Sequence, residues 1–234
     1  MANFLRMLVG LALLPACWGV SRAFFDALLS AAGATGGFSA ETLSLLGGIA
    51  AFALAWAAVS HPVKAYVLGH ELTHALWGLL FGARPSNLKV GENGGSVRLT
   101  KSNMLITLAP YFFPFYTFVV IVCALLTYAF IRPLPFLPLW MFLIGFTWAF
   151  HVLFTVETLM QRQPDVKLYG RLFSWSFIFL VNVGIVLVWM AAATPLTFAE
   201  LAGFLASRLV AAYAGVVSAF WQGGLWIYRT CTRT

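Results

Sequence analysis

Residues 65–81 read AYVLGHELTHALWGLLF, an apolar run that contains two histidines and a glutamate. On a helix of 3.6 residues per turn, His70 and His74 lie one above the other and both reach one metal ion, while Glu71 projects about 100° away. Of the chain's 4 histidines and 7 acidic residues, three fall within this five-residue window. The spacing predicts a zinc-binding helix inside a membrane.

Composition supports the membrane interpretation. The 234 residues are 62% hydrophobic and 9% charged, against about 25% charged residues in soluble proteins. The basic residues behind the net charge of +7 are scattered among short connections, which argues against a nucleic-acid partner. We therefore expect an all-α polytopic protein that forms a single integral domain over residues 1–234 and is surrounded by the lipid bilayer.

Six apolar runs are long enough to cross a hydrocarbon core of about 30 Å. In addition, the tail, residues 194–234, is predicted to hold an interfacial helix and a seventh span, so six and seven spans both stay open. The six runs are residues 4–20, 43–60, 65–81, 104–130, 139–158 and 173–193.

The distribution of basic residues predicts the orientation of the spans. With six spans, 8 of the 14 Lys and Arg residues lie on the side of the loop that follows the histidine-bearing run. A seventh span moves Arg229 and Arg233 to that side and raises the number to 10. The positive-inside rule then favours seven spans, with that loop in the cytoplasm. We expect a multi-pass protein of a bacterial inner membrane.

A catalytic zinc ion needs three protein ligands and one open position, so a third ligand must come from elsewhere. Asp165, which follows the fifth span, is the first candidate, although an aspartate in this turn is also a typical helix N-cap. His151 and Glu157 are alternatives, and because they differ by six positions they do not share a helical face. The three cysteines stand far apart in the sequence and form no metal motif.

Two further segments are candidates for handling a substrate. After Gly94 and Gly95, apolar and polar residues alternate through Val97, which predicts either a strand edge that binds an extended peptide or a solvated hairpin. Pro110 and Pro114 each free a backbone carbonyl in the fourth span. They predict a bent helix that is either a lateral gate for substrate or a static kink.

Several motifs together resemble the site-2 proteases, zinc metalloproteases that cut peptide bonds within membranes. The branch that lacks a PDZ domain is the most similar, and the resemblance covers about residues 64–182. It rests on HELTH (70–74), KVGENGGSVR (89–98), Ala109-Pro110-Tyr111, QRQPD (161–165) with Gly170 after it, and GRLFS (170–174), which leads to a span with Asn182.

The resemblance implies a role for each matched residue. His70, His74 and Asp165 would bind one zinc ion, and Glu71 would be the general base that takes a proton from water. In the family's usual motif a glycine directly follows the aspartate, whereas here Val166 follows it.

These patterns lead to one favoured function and two alternatives. The favoured function is an intramembrane zinc metalloendopeptidase that cleaves a membrane-spanning protein substrate. One alternative is a noncatalytic zinc-binding scaffold or a zinc transporter, and the other is a metalloprotease with Glu157 as its third ligand. The sequence leaves the substrate, the cleavage site, the trigger and the oligomeric state open.

Overall fold

A computed structural model describes residues 2–35, 39–59, 61–92, 94–161 and 163–232. Asn93 and Arg162, which belong to two of the motifs, and Arg233, which enters the charge count, lie outside the described residues. The elements are α1 (Ala2–Thr35), α2 (Ala40–Ala58), α3 (Val63–Leu80), β1 (Pro85–Gly91), β2 (Gly94–Leu99), α4 (Met104–Phe112), α5 (Phe115–Phe130), α6 (Leu137–Met160), α7 (Pro164–Tyr169), α8 (Arg171–Ala193) and α9 (Phe198–Cys231).

The helices confirm the all-α polytopic class. Helices α1, α2, α6, α8 and α9 are each long and apolar enough to cross a membrane, and α4 with α5 forms a sixth candidate span if the bent pair is counted as one. The predicted span 65–81 corresponds to α3, which is not among the candidate spans of the described residues. This 18-residue helix carries Lys64, Glu71 and the two histidines, which interrupt its apolar sequence.

The predicted fourth span is broken in the middle. Helix α4 ends at Phe112, α5 begins at Phe115, and the two helices are bent by 76°. Phe113 is extended, with φ −101° and ψ 107°, because the ring of Pro114 disfavours the helical conformation of the residue before it. Pro110 lies inside α4, and the sharp bend therefore belongs to Pro114.

A two-stranded hairpin follows the histidine-bearing helix, as the sequence predicts. Helix α3 ends in a Schellman motif: Ala83 N–H donates to Gly78 O at 2.8 Å and Gly82 N–H donates to Leu79 O at 2.9 Å. Gly82 has a φ of +70°, which glycine adopts at little cost. Strands β1 and β2 then pair antiparallel, and the tight end of the helix places them directly beside it.

The contacts of the chain form two compact units, of which the first is residues 38–169. Its core contains Phe52, Ala149 and Phe154. Helices α2 and α6 touch through their backbones, because a Cβ atom on Gly48 would overlap the carbonyl of Phe142 and one on Gly145 would overlap the carbonyl of Leu45. Small residues allow such close approach in membrane helices, where van der Waals packing drives association.

The second unit is residues 1–37 with 170–234. Helix α1 runs from Ala2 to Thr35 with Pro15 inside it, and so extends 15 residues beyond the predicted first span, residues 4–20. Likewise, α9 is one helix of 34 residues. The Nη2 atom of Arg208 in α9 donates to Oδ1 of Asp26 in α1 at 2.9 Å, so that each helix supplies the counter-charge for the other.

The glycine contact between α2 and α6 is testable by adding one methyl group. Gly48→Ala should lower the free energy of unfolding by about 1–3 kcal/mol, because the added carbon overlaps backbone that has no rotamer to change. Thermal unfolding in detergent measures the effect. Gly47→Ala is the matched control, since its Cβ would lie 4.0 Å from the Phe142 side chain. Equal stability of the two variants would contradict the contact.

Candidate metal centre

The two histidines of α3 face the same way. Their ring centroids are 4.9 Å apart, and each side chain is about 12% exposed. The i,i+4 spacing thus produces the shared face that the sequence predicts.

Asp165 approaches these histidines from a distant part of the chain. It is the second residue of α7, within its first turn, and its Oδ2 atom lies 3.7 Å from Nε2 of His70 and 3.6 Å from Nε2 of His74. The ligand atoms of the three residues all lie within 4.8 Å of one another. Throughout the described ranges, this is the one group of His, Cys, Asp or Glu side chains with metal-binding spacing.

The distances fit a bound cation better than direct hydrogen bonds. A separation of 3.6–3.7 Å is longer than a hydrogen bond between nitrogen and oxygen. Two ligand atoms that bind one metal ion at about 2.0–2.1 Å in tetrahedral geometry lie about 3.4 Å apart. Both nitrogen-to-oxygen distances are therefore within a few tenths of an ångström of those expected for ligands of one metal ion.

Neighbouring groups orient the ligand side chains. Nδ1 of His74 lies 2.9 Å from the carbonyl oxygen of Ile106, so the ring donates there and keeps Nε2 free for the metal. Nδ1 of His70 lies 3.4 Å from the hydroxyl of Tyr66. Tyr111 donates from its hydroxyl to Oδ2 of Asp165 at 3.2 Å. Tyr66 and Ile106 are not among the predicted site residues, although the i,i+4 spacing of Tyr66 and His70 is a usable signal for the first of them.

The charge of Asp165 suits a metal ligand. Burial by itself would raise the pKa of this carboxyl group, but the two imidazoles that face it outweigh burial and hold the pKa well below its usual range. Asp165 is therefore ionised at neutral pH, as metal binding requires.

Glu71 lies beside the ligands and against strand β2. The residue is 7% exposed, and its carboxylate is within hydrogen-bonding reach of the backbone of Val97. A Cβ atom on Gly95 would come within 2.8 Å of Cγ of Glu71 and 2.6 Å of Cγ1 of Val67. The absence of a side chain at Gly95 thus lets the strand lie directly on the helix at this glutamate.

A cavity of about 820 Å³ brings most of the predicted residues together. His70, Glu71, His74 and Asp165 line it, and so do three residues of the hairpin that the sequence analysis named: Gly94, Gly95 and Val97. Pro110 instead lines a small cavity of about 20 Å³ on another side of His70. Pro114 is the N-cap residue of α5.

The two alternative ligands stand apart from the group that the histidines form with Asp165. His151 is 7% exposed in α6 and lines the small cavity. Glu157, near the end of α6, lines the large cavity, but its Oε2 atom lies 3.7 Å from Nδ1 of His61. Asp165 is therefore the third ligand that the geometry supports.

Comparisons of the chain with models of protein families, with curated proteins and with solved structures find no match. The interpretation of the site rests on its residues and their distances.

Metal binding is the first test of the site. His74→Ala and Asp165→Asn should each weaken the binding of a divalent metal at least tenfold, because each removes one of three protein ligands. Metal content after dialysis and a metal titration of the purified protein measure this. Glu157→Gln is the control and should bind metal like the unaltered protein. Loss of metal in Glu157→Gln, with Asp165→Asn unaffected, would show that Glu157 and not Asp165 is the third ligand.

Proposed function

We propose that the protein is an intramembrane zinc metalloendopeptidase that hydrolyses a peptide bond in or near a transmembrane segment of another protein. The main support is the placement of Glu71 beside the group of His70, His74 and Asp165, in one cavity of a chain rich in membrane helices. A catalytic metal site needs three protein ligands, an open position for water and a general base. Here His70, His74 and Asp165 are the candidate ligands, the cavity has space for water, and Glu71 is the candidate base.

The donor set favours zinc among divalent metals. Imidazole nitrogens suit zinc better than magnesium or calcium, which prefer oxygen ligands. Three protein ligands with an open fourth position are the pattern of catalytic zinc sites, whereas structural zinc sites have four protein ligands. A zinc transporter would need ligand groups at several depths, and the described part of the chain holds one such group.

The chemistry follows from the position of each side chain. Bound zinc would supply a Lewis acid that polarises the peptide carbonyl and lowers the pKa of water to about 7. Glu71 accepts the proton of the attacking water and then returns it to the amine that leaves when the C–N bond breaks. His74, held through Nδ1 by Ile106, keeps its other nitrogen directed at the metal position throughout.

The hairpin supports a substrate in extended conformation. The carbonyl groups of a helical substrate are engaged in backbone hydrogen bonds, so cleavage requires local unwinding. Strand β2 pairs with β1 along one edge, and Gly94, Gly95 and Val97 lie at the cavity. We infer that its other edge pairs with the unwound substrate. The break between Pro110 and Pro114 is a candidate lateral gate for its entry.

The proposed location is a bacterial inner membrane with the hairpin on the cytoplasmic side. This orientation is supported by the excess of Lys and Arg on that side of the predicted spans.

Removal of the base separates catalysis from metal binding. Glu71→Gln should keep its zinc and lose at least about 1,000-fold in kcat/KM, because the amide cannot accept the proton of water. Cleavage of a membrane-protein substrate in detergent and zinc content are measured on the same sample. Glu200→Gln makes the same chemical change in the exposed capping box of α9 and should leave both readouts unchanged. Retained cleavage by Glu71→Gln would refute the mechanism.

The contact of the strand with the base gives a second test. Gly95→Ala should reduce cleavage about tenfold with zinc retained, because the methyl group overlaps Val67 and Glu71 and displaces β2. Gly184→Ala, where a methyl group meets nothing within 4 Å, is the control. Wild-type cleavage by Gly95→Ala would show that the strand does not position the substrate or the base.

A further inference from the structure

The large cavity contains acidic groups that the proposed chemistry does not use. Besides Glu71 and Asp165, Glu92 and Glu157 line it, and none of its described lining residues is Lys or Arg. Glu92 is already neutralised, because its Oε1 atom lies 2.9 Å from Nζ of Lys64. Among the described residues, Glu157 is thus the outer acidic group that has no Lys or Arg partner.

The surroundings of Glu157 leave this carboxylate able to bind a ligand. Its side chain is 41% exposed, and the 3.7 Å to Nδ1 of His61 is longer than a hydrogen bond. The imidazole of His61 is held elsewhere: it stacks on Trp56 with centroids 3.6 Å apart, and its Nε2 atom lies 3.2 Å from the carbonyl oxygen of Trp56. The carboxylate oxygens therefore retain the capacity to accept hydrogen bonds from a donor in the cavity.

An aromatic wall stands next to this carboxylate. Tyr66 is half-buried at the cavity, and Phe154, one helical turn before Glu157, borders it but is only 2% exposed. Their rings are stacked with centroids 4.6 Å apart and an angle of 6° between planes. Phe154 thus supports the ring of Tyr66. A carboxylate beside this ring suits a Lys or Arg side chain, whose methylene groups pack on the ring while its charged end binds the carboxylate.

Tyr66 also connects this wall to the metal centre. Its hydroxyl lies 3.4 Å from Nδ1 of His70, so the aromatic side of the cavity lies next to a candidate metal ligand. An extended peptide advances about 3.3 Å per residue. A side chain bound at Glu157 therefore belongs to a residue within a few positions of the bond at the metal.

We propose that Glu157 and Tyr66, with the buried ring of Phe154 supporting Tyr66, form a subsite for a Lys or Arg side chain of the substrate close to the cleaved bond. This inference rests on the proposed function and names its substrate class: segments with a basic residue at the end of a membrane span. Lys and Arg are concentrated at the cytoplasmic ends of membrane spans, which is the side where the charge distribution places the hairpin and the end of α6.

The test uses peptides that differ in one charge. A segment that the protein cleaves is prepared with Lys, Gln or Glu at each position near the cleaved bond. At one of these positions, wild-type protein should cleave the Lys peptide about fivefold faster in kcat/KM than the Gln peptide, as expected for one half-exposed ion pair with an aromatic contact. Glu157→Gln should reduce this ratio to about one, and Glu157→Arg should favour the Glu peptide.

Two controls make the result specific. Glu92→Gln removes the other outer carboxylate and should keep the Lys preference within twofold, since Lys64 already neutralises that group. Zinc content equal to wild type verifies that each Glu157 variant is folded. A wild-type protein without charge preference, or Glu157→Gln with the full preference, would overturn the subsite.

A binding measurement separates this inference from the proposed function. The affinity of the same labelled peptides is measured with Glu71→Gln, with and without Glu157→Gln, so that no cleavage is needed. Tighter binding of the Lys peptide that disappears with Glu157→Gln supports the subsite. This holds even if the wild-type protein cleaves no peptide, a result that would reject the protease function but not the subsite. Cleavage with equal binding of all peptides would reject the subsite alone.

Discussion

The approach of two imidazoles and one carboxylate, with nitrogen-to-oxygen distances of 3.6 and 3.7 Å, is the constraint around which the histidine-bearing unit is organised. Buried polar groups are costly unless they are paired or bind a metal. Here the separations are too long for hydrogen bonds and close to those of ligands around one cation. A metal ion would therefore satisfy the three groups together, and it would give Glu71 beside them the proposed role of base.

The surrounding elements hold this polar centre in an apolar chain. The Schellman motif at the end of α3 reverses the direction of the chain, so the hairpin lies along the helix. Because Gly95 has no side chain, β2 lies directly against the side chain of Glu71. On the next helices, Ile106 fixes one imidazole, and Tyr116 donates to the carbonyl oxygen of Ala65 at 2.6 Å. The break before Pro114 gives α4 and α5 separate directions, and both can then pack on α3.

Local patterns of the sequence predict much of this site. The shared face of His70 and His74 follows from helical periodicity, and the hairpin follows from glycines with alternating residues. Asp165 is the first candidate because of its place after the fifth span, and the resemblance of its motif supports it, but no local rule shows that residues so far apart in the chain meet. The contact of Tyr66 with His70 follows from their i,i+4 spacing on α3, whereas the contact of Glu157 with His61 depends on how α6 packs beside the residues before α3, which periodicity does not encode.

X-ray absorption at the zinc edge of the metal-loaded protein tests the central claim most directly, because it reports the ligands without depending on a substrate. The account predicts one zinc ion with two imidazole nitrogens and oxygen ligands at about 2.0–2.1 Å, and a spectrum that loses an oxygen or the metal itself in Asp165→Asn. Sulfur ligands, a single imidazole, or an unchanged spectrum in Asp165→Asn would contradict it.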